Sequence, residues 1–272
     1  MNSPSPQFAQ LKSALKSTWM AGDFGEIAKH AAHEGEVFVE RLQLKPGQRV
    51  LDVACGTGNV TIPAARAGAD ITGADIATNL LEQARKRAHA ERLKINFQEG
   101  DAEELPFGDA EFDVVISMFG AMFAPRPERV AAELLRVCKP GGLVVMANWS
   151  PTGFVGKTFR ASAEMVPPPP GIQPPVLWGD AQIAKQRFAS GTASVTTTLR
   201  NAEFTFPFPP RQVVEFFRKY FGPTQMSFSR LDSAGQTSLA ATLEALWKEH
   251  NQASDGNTRV EAEYLEVRAT KG

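Results

Sequence analysis

A chain of 272 residues, 43% hydrophobic and 22% charged, has room for one large globular domain or for a core domain with an added lobe. A net charge of −1 gives no field to attract nucleic acid or an anionic membrane, and no apolar run approaches the length of a bilayer span. Two cysteines, Cys55 and Cys138, do not make a disulfide framework and suit a cytoplasmic address.

The opening stretch "MNSPSPQFAQ" lacks the basic and apolar regions of a secretory leader. Residues from about 8 to 44 read as helical, with Ile27, Ala31 and Phe38 on one apolar face, until "KPGQ" marks a turn. From "RVLDVA" onward strands and helices alternate. The strands are expected at 50–54, 70–74, 94–98, 112–118 and 143–148. Runs such as "DVVISM" and "LVVMA" are almost continuously apolar, as expected of strands buried on both faces of a parallel sheet. Between them, "NLLEQARKRA" places Leu80, Leu81, Ala84 and Ala88 on one helical face, with Arg85, Lys86 and Arg87 outside. "ERVAAELLRVCKPGG" reads as a helix closed by Pro140 and two glycines, with Cys138 as a core residue at its end.

Beyond Trp149 the composition shifts. "VPPPPGIQPPVLWGD" is Pro-rich and predicts an extended, irregular connection. A strand-like run follows at 194–204, then helical "RQVVEFFRKYFG", a longer helix around 238–250, and a final strand in "TRVEAEYLEVRAT". The division is an N-terminal helical segment (1–45), a doubly wound α/β core (46–150), and late strands of the core with an inserted helical cap (151–272). A segment inserted there is expected to hang over the carboxyl edge of the sheet.

The stretch "VLDVACGTGNV" carries the first chemical signal. Gly56 and Gly58 let the backbone turn tightly and approach a ligand with no Cβ in the way. A dinucleotide fingerprint needs a third glycine three residues after Gly58, and the chain has Thr61 there. The stronger signal is a set of acids at strand ends: Asp52 before the turn, Asp75 in "ITGADIA", and Asp101 in "EGDAEELPF". An open parallel sheet binds ligands at its carboxyl edge, where all three can converge.

The segments "VLDVACGTGN", "GADIA", "GDAEELPF", "FDVVISMFGAMF" and "LLRVCKPGGLVVMANWS" resemble, in order and spacing, the class I S-adenosylmethionine-dependent methyltransferases, close to the ubiquinone/menaquinone-biosynthesis-type small-molecule group. The resemblance implies a Rossmann-like, mostly parallel seven-stranded sheet with N-terminal helices, and S-adenosylmethionine as cofactor. By the same resemblance Gly56, Thr57 and Gly58 pack under the methionine part, and Asp52 orients that loop. Asp75, with Ile76 beside it, accepts from both ribose hydroxyls. Asp101 accepts from the adenine amine with Ala102 alongside, Met118 and Phe119 flank the adenosine or the transfer site, and Phe24 borders the cofactor. These carboxylates suit a sulfonium cation and repel a pyrophosphate.

Plainer readings stand beside these. A strand-end Asp can cap the next helix, and Cys55 is a small residue tolerated in a tight turn. His30 and His33 are candidate general bases, His30 foremost, or else structural histidines. Met122, Phe123, Trp149 and Trp178 are candidates to line an acceptor pocket, or else core residues. "SMFG" lacks the Asn-Pro-Pro-aromatic signature of nucleobase methylation and an acid to hold a divalent ion, so no metal is expected. The expected reaction is direct in-line displacement onto O, N or C of a small, largely hydrophobic acceptor. The expected partners are that acceptor, with no nucleic acid and no membrane insertion, the chain being a monomer or homodimer. The alternatives are binding of S-adenosylmethionine without transfer, and an NAD-dependent oxidoreductase.

Overall fold

The computed structural model describes residues 6–272; the first five, part of the stretch read for a leader, lie outside the described residues. Three helices come first, α1 (Pro6–Met20), α2 (Phe24–Ala28) and α3 (Ala32–Leu42). The helical run expected over 8–44 breaks at Gly22, whose φ of +72° is a conformation that a Cβ disfavours. Asp23 then caps α2 by accepting from the Gly25 amide at 3.0 Å, a contact worth about 1 kcal/mol. A 3-10 turn at Lys29–Ala31 links α2 to α3. The expected apolar face is the one that docks: Ile27 and Phe38 are buried and Ala31 packs at the rim of the core.

The core then runs β1 (Arg49–Val53), α4 (Thr61–Arg66), β2 (Asp70–Asp75), α5 (Thr78–Ala90), β3 (Asn96–Glu99), β4 (Phe112–Met118), α6 (Pro127–Val137) and β5 (Cys138–Trp149). Next come α7 (Phe154–Met165), α8 (Ala181–Phe188), β6 (Thr192–Phe206), α9 (Pro210–Tyr220), α10 (Gly222–Ser229), α11 (Ser233–His250) and β7 (Thr258–Lys271). The strands form one seven-stranded sheet in the order β3-β2-β1-β4-β5-β7-β6. Neighbours from β3 to β5 are parallel, and β7 is antiparallel to both β5 and β6. This is the doubly wound, mostly parallel sheet that the alternating pattern implies. Strand order reverses between β1 and β4, which opens a crevice at their carboxyl ends. Leu51, Val115, Ile116 and Val145 in the central strands have no exposed surface; each such side chain stabilises the fold by about 1.5–3 kcal/mol over an exposed one.

Two local expectations are corrected. The helix expected to run to "KPGG" stops at Val137, and Cys138 opens β5 opposite Phe112 instead of ending the helix. The glycines serve a bulge in that strand: a Cβ on Gly142 would lie 2.7 Å from Cys138 Sγ and 2.8 Å from the Asp113 carbonyl. Helices α7, α8 and α10 were not foreseen, although the Pro-rich stretch between α7 and α8 is irregular except for a 3-10 turn at Pro175–Gly179.

Candidate active site

The loop after β1 turns on three left-handed residues, Ala54 (φ +58°), Gly56 (+53°) and Gly58 (+84°). A Cβ on Gly56 would enter the crevice, its nearest neighbour being the Phe24 ring at 3.9 Å, whereas one on Gly58 would press on Ile62 at 3.3 Å. Gly56 thus leaves room for a ligand and Gly58 for a helix. Thr61 stands where a third glycine would be, and its hydroxyl donates to Asp52 Oδ2 at 2.6 Å. That bond orients a carboxyl only 2% exposed. Burial pushes Asp52 up to about 7; the Thr61 hydroxyl opposes the shift and the neighbouring Asp75 adds to it.

Asp75 accepts the Gly56 amide on Oδ2 and the Ala77 amide on Oδ1, both at 2.8 Å. Burial raises its pKa while these amides pull it down. Each oxygen keeps a second lone-pair direction for a ligand. Arg87, expected on the outer face of α5, leans back instead and donates to the Thr57 carbonyl and to Asn59 Oδ1, both at 2.7 Å. A long side chain reaches an unsatisfied loop carbonyl from a position that helical periodicity assigns to solvent.

One cavity at the crevice is lined by Phe24, Asp52, Gly56, Thr57, Asp75, Ile76, Asp101, Ala102, Met118 and Phe119. Of the residues implied as cofactor contacts, only Gly58 does not line it. Helix α1 closes the cavity with Lys12, Leu15 and Trp19, and neither Lys12 nor Leu15 carried a sequence signal. Asp101 accepts the Glu103 amide on Oδ1 at 2.9 Å and pairs through Oδ2 with Lys12. Lys12 also pairs with the fully buried Glu103 at 2.9 Å, which Arg126 holds from the other side.

A second cavity shares Trp19, Phe24, Ala28, Ala31, Phe119 and Phe123 with the first. Beyond that wall it is lined by rings from β5 (Trp149), α7 (Phe154, Phe159), β6 (Phe204), α9 (Phe217) and α11 (Trp247). Phe119, strained at φ +56°, stacks on Trp149 with ring centroids 3.6 Å apart and planes 8° from parallel. Tyr264 meets the Phe119 ring edge-on at 5.2 Å, and its hydroxyl donates to Glu34 at 2.5 Å. Of the four acceptor-pocket candidates, Phe123 and Trp149 line this cavity. Met122 and Trp178 line neither cavity: Met122 is buried in the core, and Trp178 packs between Phe188 and the Arg187 guanidinium.

The two histidines do not face either cavity. His30 Nδ1 donates to the Thr205 carbonyl at 2.7 Å, and its ring lies 4.3 Å from that of Phe206. Among the described residues no group of three or more His, Cys, Asp or Glu side chains could hold a metal ion. No helix among them is long and apolar enough to cross a membrane.

The donor set defines what the first cavity accepts. Three carboxylates, one at each of three strand ends, suit a cation, a vicinal diol and an exocyclic amine, and they disfavour a pyrophosphate. The open Cβ direction at Gly56 leaves space for such a group between the loop and Phe24. These residues fit S-adenosylmethionine, whose sulfonium, ribose and adenine amine are those three functions.

A profile of the methyltransferase domain matches residues 51–146. A protein of Mycobacterium tuberculosis, described as uncharacterized, is 33% identical over 275 residues, covering 100% of this chain and 99% of its own length. A demethylmenaquinone methyltransferase of Renibacterium salmoninarum is 43% identical over 116 residues, which cover 43% of this chain and 47% of that protein. In fold the chain is similar to YcgJ from Bacillus subtilis, with a TM-score of 0.61 at 16% identity over 88% of this chain and 98% of the other. The chain belongs to the class I S-adenosylmethionine-dependent methyltransferases.

Proposed function

We propose that this protein transfers the methyl group of S-adenosylmethionine to an oxygen, nitrogen or carbon atom of a small, largely hydrophobic acceptor. The observation that carries this reading is the second cavity, which shares a wall with the first and is lined by aromatic and aliphatic side chains. Such linings bury small apolar ligands. The donor supplies an activated methyl on a sulfonium, so the protein's part is alignment and exclusion of water. Asp75 holds the ribose hydroxyls and Asp101 the adenine amine, with Ala102 and Ile76 beside them. Asp52 and the loop at Gly56 and Thr57 seat the methionine part. Phe24, Met118 and Phe119 flank the transfer point, and Phe123 and Trp149 face the acceptor. The Renibacterium relative's name is compatible with a quinone-like acceptor, although its similarity spans under half of either chain.

A transfer assay with a radiolabelled methyl donor tests this, comparing small aromatic acceptors with tRNA, DNA and whole-cell protein. Labelling of small apolar molecules is expected. Efficient labelling of a macromolecule, with none of any small molecule, would overturn the reading. Tight binding of the donor with no acceptor labelled would leave a protein that binds S-adenosylmethionine without transfer.

A further inference from the structure

Given methyl transfer as proposed above, the chemistry of the second cavity narrows the acceptor further. Among the described residues that line it, none bears a carboxyl, amine, guanidinium, imidazole, thiol or phenol. Its polar groups are three hydroxyls, on Thr158, Ser162 and Thr224, and the indole N–H groups of Trp19, Trp149 and Trp247, which can donate a hydrogen bond but cannot take a proton. Two of the hydroxyls are committed as donors inside α7: Thr158 donates to the Val155 carbonyl at 2.8 Å and Ser162 to the Thr158 carbonyl at 3.0 Å. The imidazole of His30 is turned to Thr205 and enclosed by Phe206, Phe208 and Phe216 at 4.3, 6.4 and 5.3 Å. Asp52 and Asp75 belong to the first cavity, where Thr61, Gly56 and Ala77 already hold them.

We infer that the acceptor enters with its attacking atom already unprotonated, as the anion of an apolar, acidic phenol or enol, and that no side chain takes its proton. On entry such an anion loses hydration, and where the two cavities adjoin, at the residues they share, it meets the sulfonium in low-dielectric surroundings, where opposite charges attract most strongly. The acceptor oxygen bonds to the methyl carbon as the carbon–sulfur bond breaks, and that electron pair stays on sulfur. No proton moves. Two opposite charges vanish and leave a neutral ether and a neutral thioether, a change that an apolar cavity favours. An alkylamine enters as an ammonium and an alcohol as a hydroxyl, and each must lose a proton to a group that the cavity does not offer. A neutral aniline would only move the positive charge from sulfur to nitrogen without cancelling it, leaving a cation that ring faces attract but that no carboxylate in the cavity neutralises.

The ionisation of a bound acceptor is measurable apart from turnover, because 4-nitrophenol changes colour when it ionises. Sinefungin carries an ammonium where the donor has its sulfonium, and S-adenosylhomocysteine has a neutral sulfur. Bound nitrophenol should titrate at least ~1 pH unit lower beside sinefungin than beside S-adenosylhomocysteine, a tenfold shift in ionisation. Separately, kcat/KM for phenols of graded acidity should level off at each phenol's own pKa, so that the break moves with the acceptor. A bound phenol that stays neutral beside both ligands, or a break at one pH common to every acceptor, would overturn the inference. Preferential methylation of alkylamines, alcohols or anilines would also overturn it while leaving methyl transfer standing. If the donor binds and no small molecule of any class is methylated, the transfer reading itself fails.

Discussion

Asp75 is an anchor of the glycine loop as well as a candidate ligand group, since each of its oxygens accepts one buried backbone amide. Asp75→Ala should lower affinity for S-adenosylmethionine at least tenfold, because two charge-assisted hydrogen bonds of about 1.5–3 kcal/mol each are lost. The variant should also lose stability by about 1–3 kcal/mol, as the Gly56 and Ala77 amides are left without their acceptor. Calorimetric titration with the donor and chemical denaturation measure the two effects, and unchanged affinity would remove Asp75 from the site. Asp52 is one group that makes stability depend on pH. Its folded-state pKa lies near 7 against an ordinary 3.8, chiefly through burial. The folded chain therefore holds this proton more tightly than the unfolded one, so the stability it brings is full below the ordinary value and is lost as pH rises through 7. Asp52→Asn cannot ionise, so between about pH 5 and 8 it should avoid a decline on the order of 1–3 kcal/mol seen in the parent. Parallel melting-temperature profiles for the two proteins would show that Asp52 titrates at its ordinary value.

Among the elements, α1 closes the first cavity by side-chain contacts along its middle and at its C-terminal end. Lys12 and Lys16 pair with acids that follow or end β3, while Trp19 meets Phe24, Phe123 and Phe221 at ring distances of 6.0, 4.9 and 5.8 Å. Lys12→Met keeps the aliphatic stem but removes the charge that faces Asp101 and the buried Glu103. Its expected effect is at least ~tenfold faster hydrogen exchange of the α1 amides, as local opening becomes easier; unchanged protection would mean that the other contacts, Lys16 and Trp19 among them, seat the helix. The strands show the opposite balance between local pattern and packing. Apolar runs in β4 and β5 mark buried parallel strands without tertiary knowledge, because burial on both faces leaves few polar positions. The junction of α6 and β5 escaped the same logic, since Pro140 and the glycines mark a bulge as readily as a helix stop.

At the scale of the whole molecule, the second cavity is assembled from α1, α2, the β4 and β5 ends, α7, β6, α9, α10 and α11. Phe217 on α9 lines it and not the first cavity. Phe217→Ala should therefore raise KM for the acceptor several-fold, by removing about 3 kcal/mol or less of apolar contact, with affinity for the donor unchanged. A matched loss of donor affinity would show that α9 supports the donor cavity instead. The sequence by itself determined the first cavity: strand, glycine turn and strand-end acid are neighbours along the chain, and a parallel sheet necessarily gathers such ends at one edge. Even there, Lys12, Arg87 and Thr61 became visible only on folding, because a long side chain's reach and a threonine's hydrogen bond are not periodic signals. Tertiary structure decided which of the aromatic candidates wall the second cavity, Phe123 and Trp149 but not Trp178. An aromatic residue on a helix face reads the same whether it fills a core, as Trp178 does, or walls a cavity, as Trp149 does, and His30 was turned to a carbonyl by the packing of β6 against the N-terminal helices. Which of these outcomes holds depends on distant elements meeting, and no local stretch of sequence encodes that meeting.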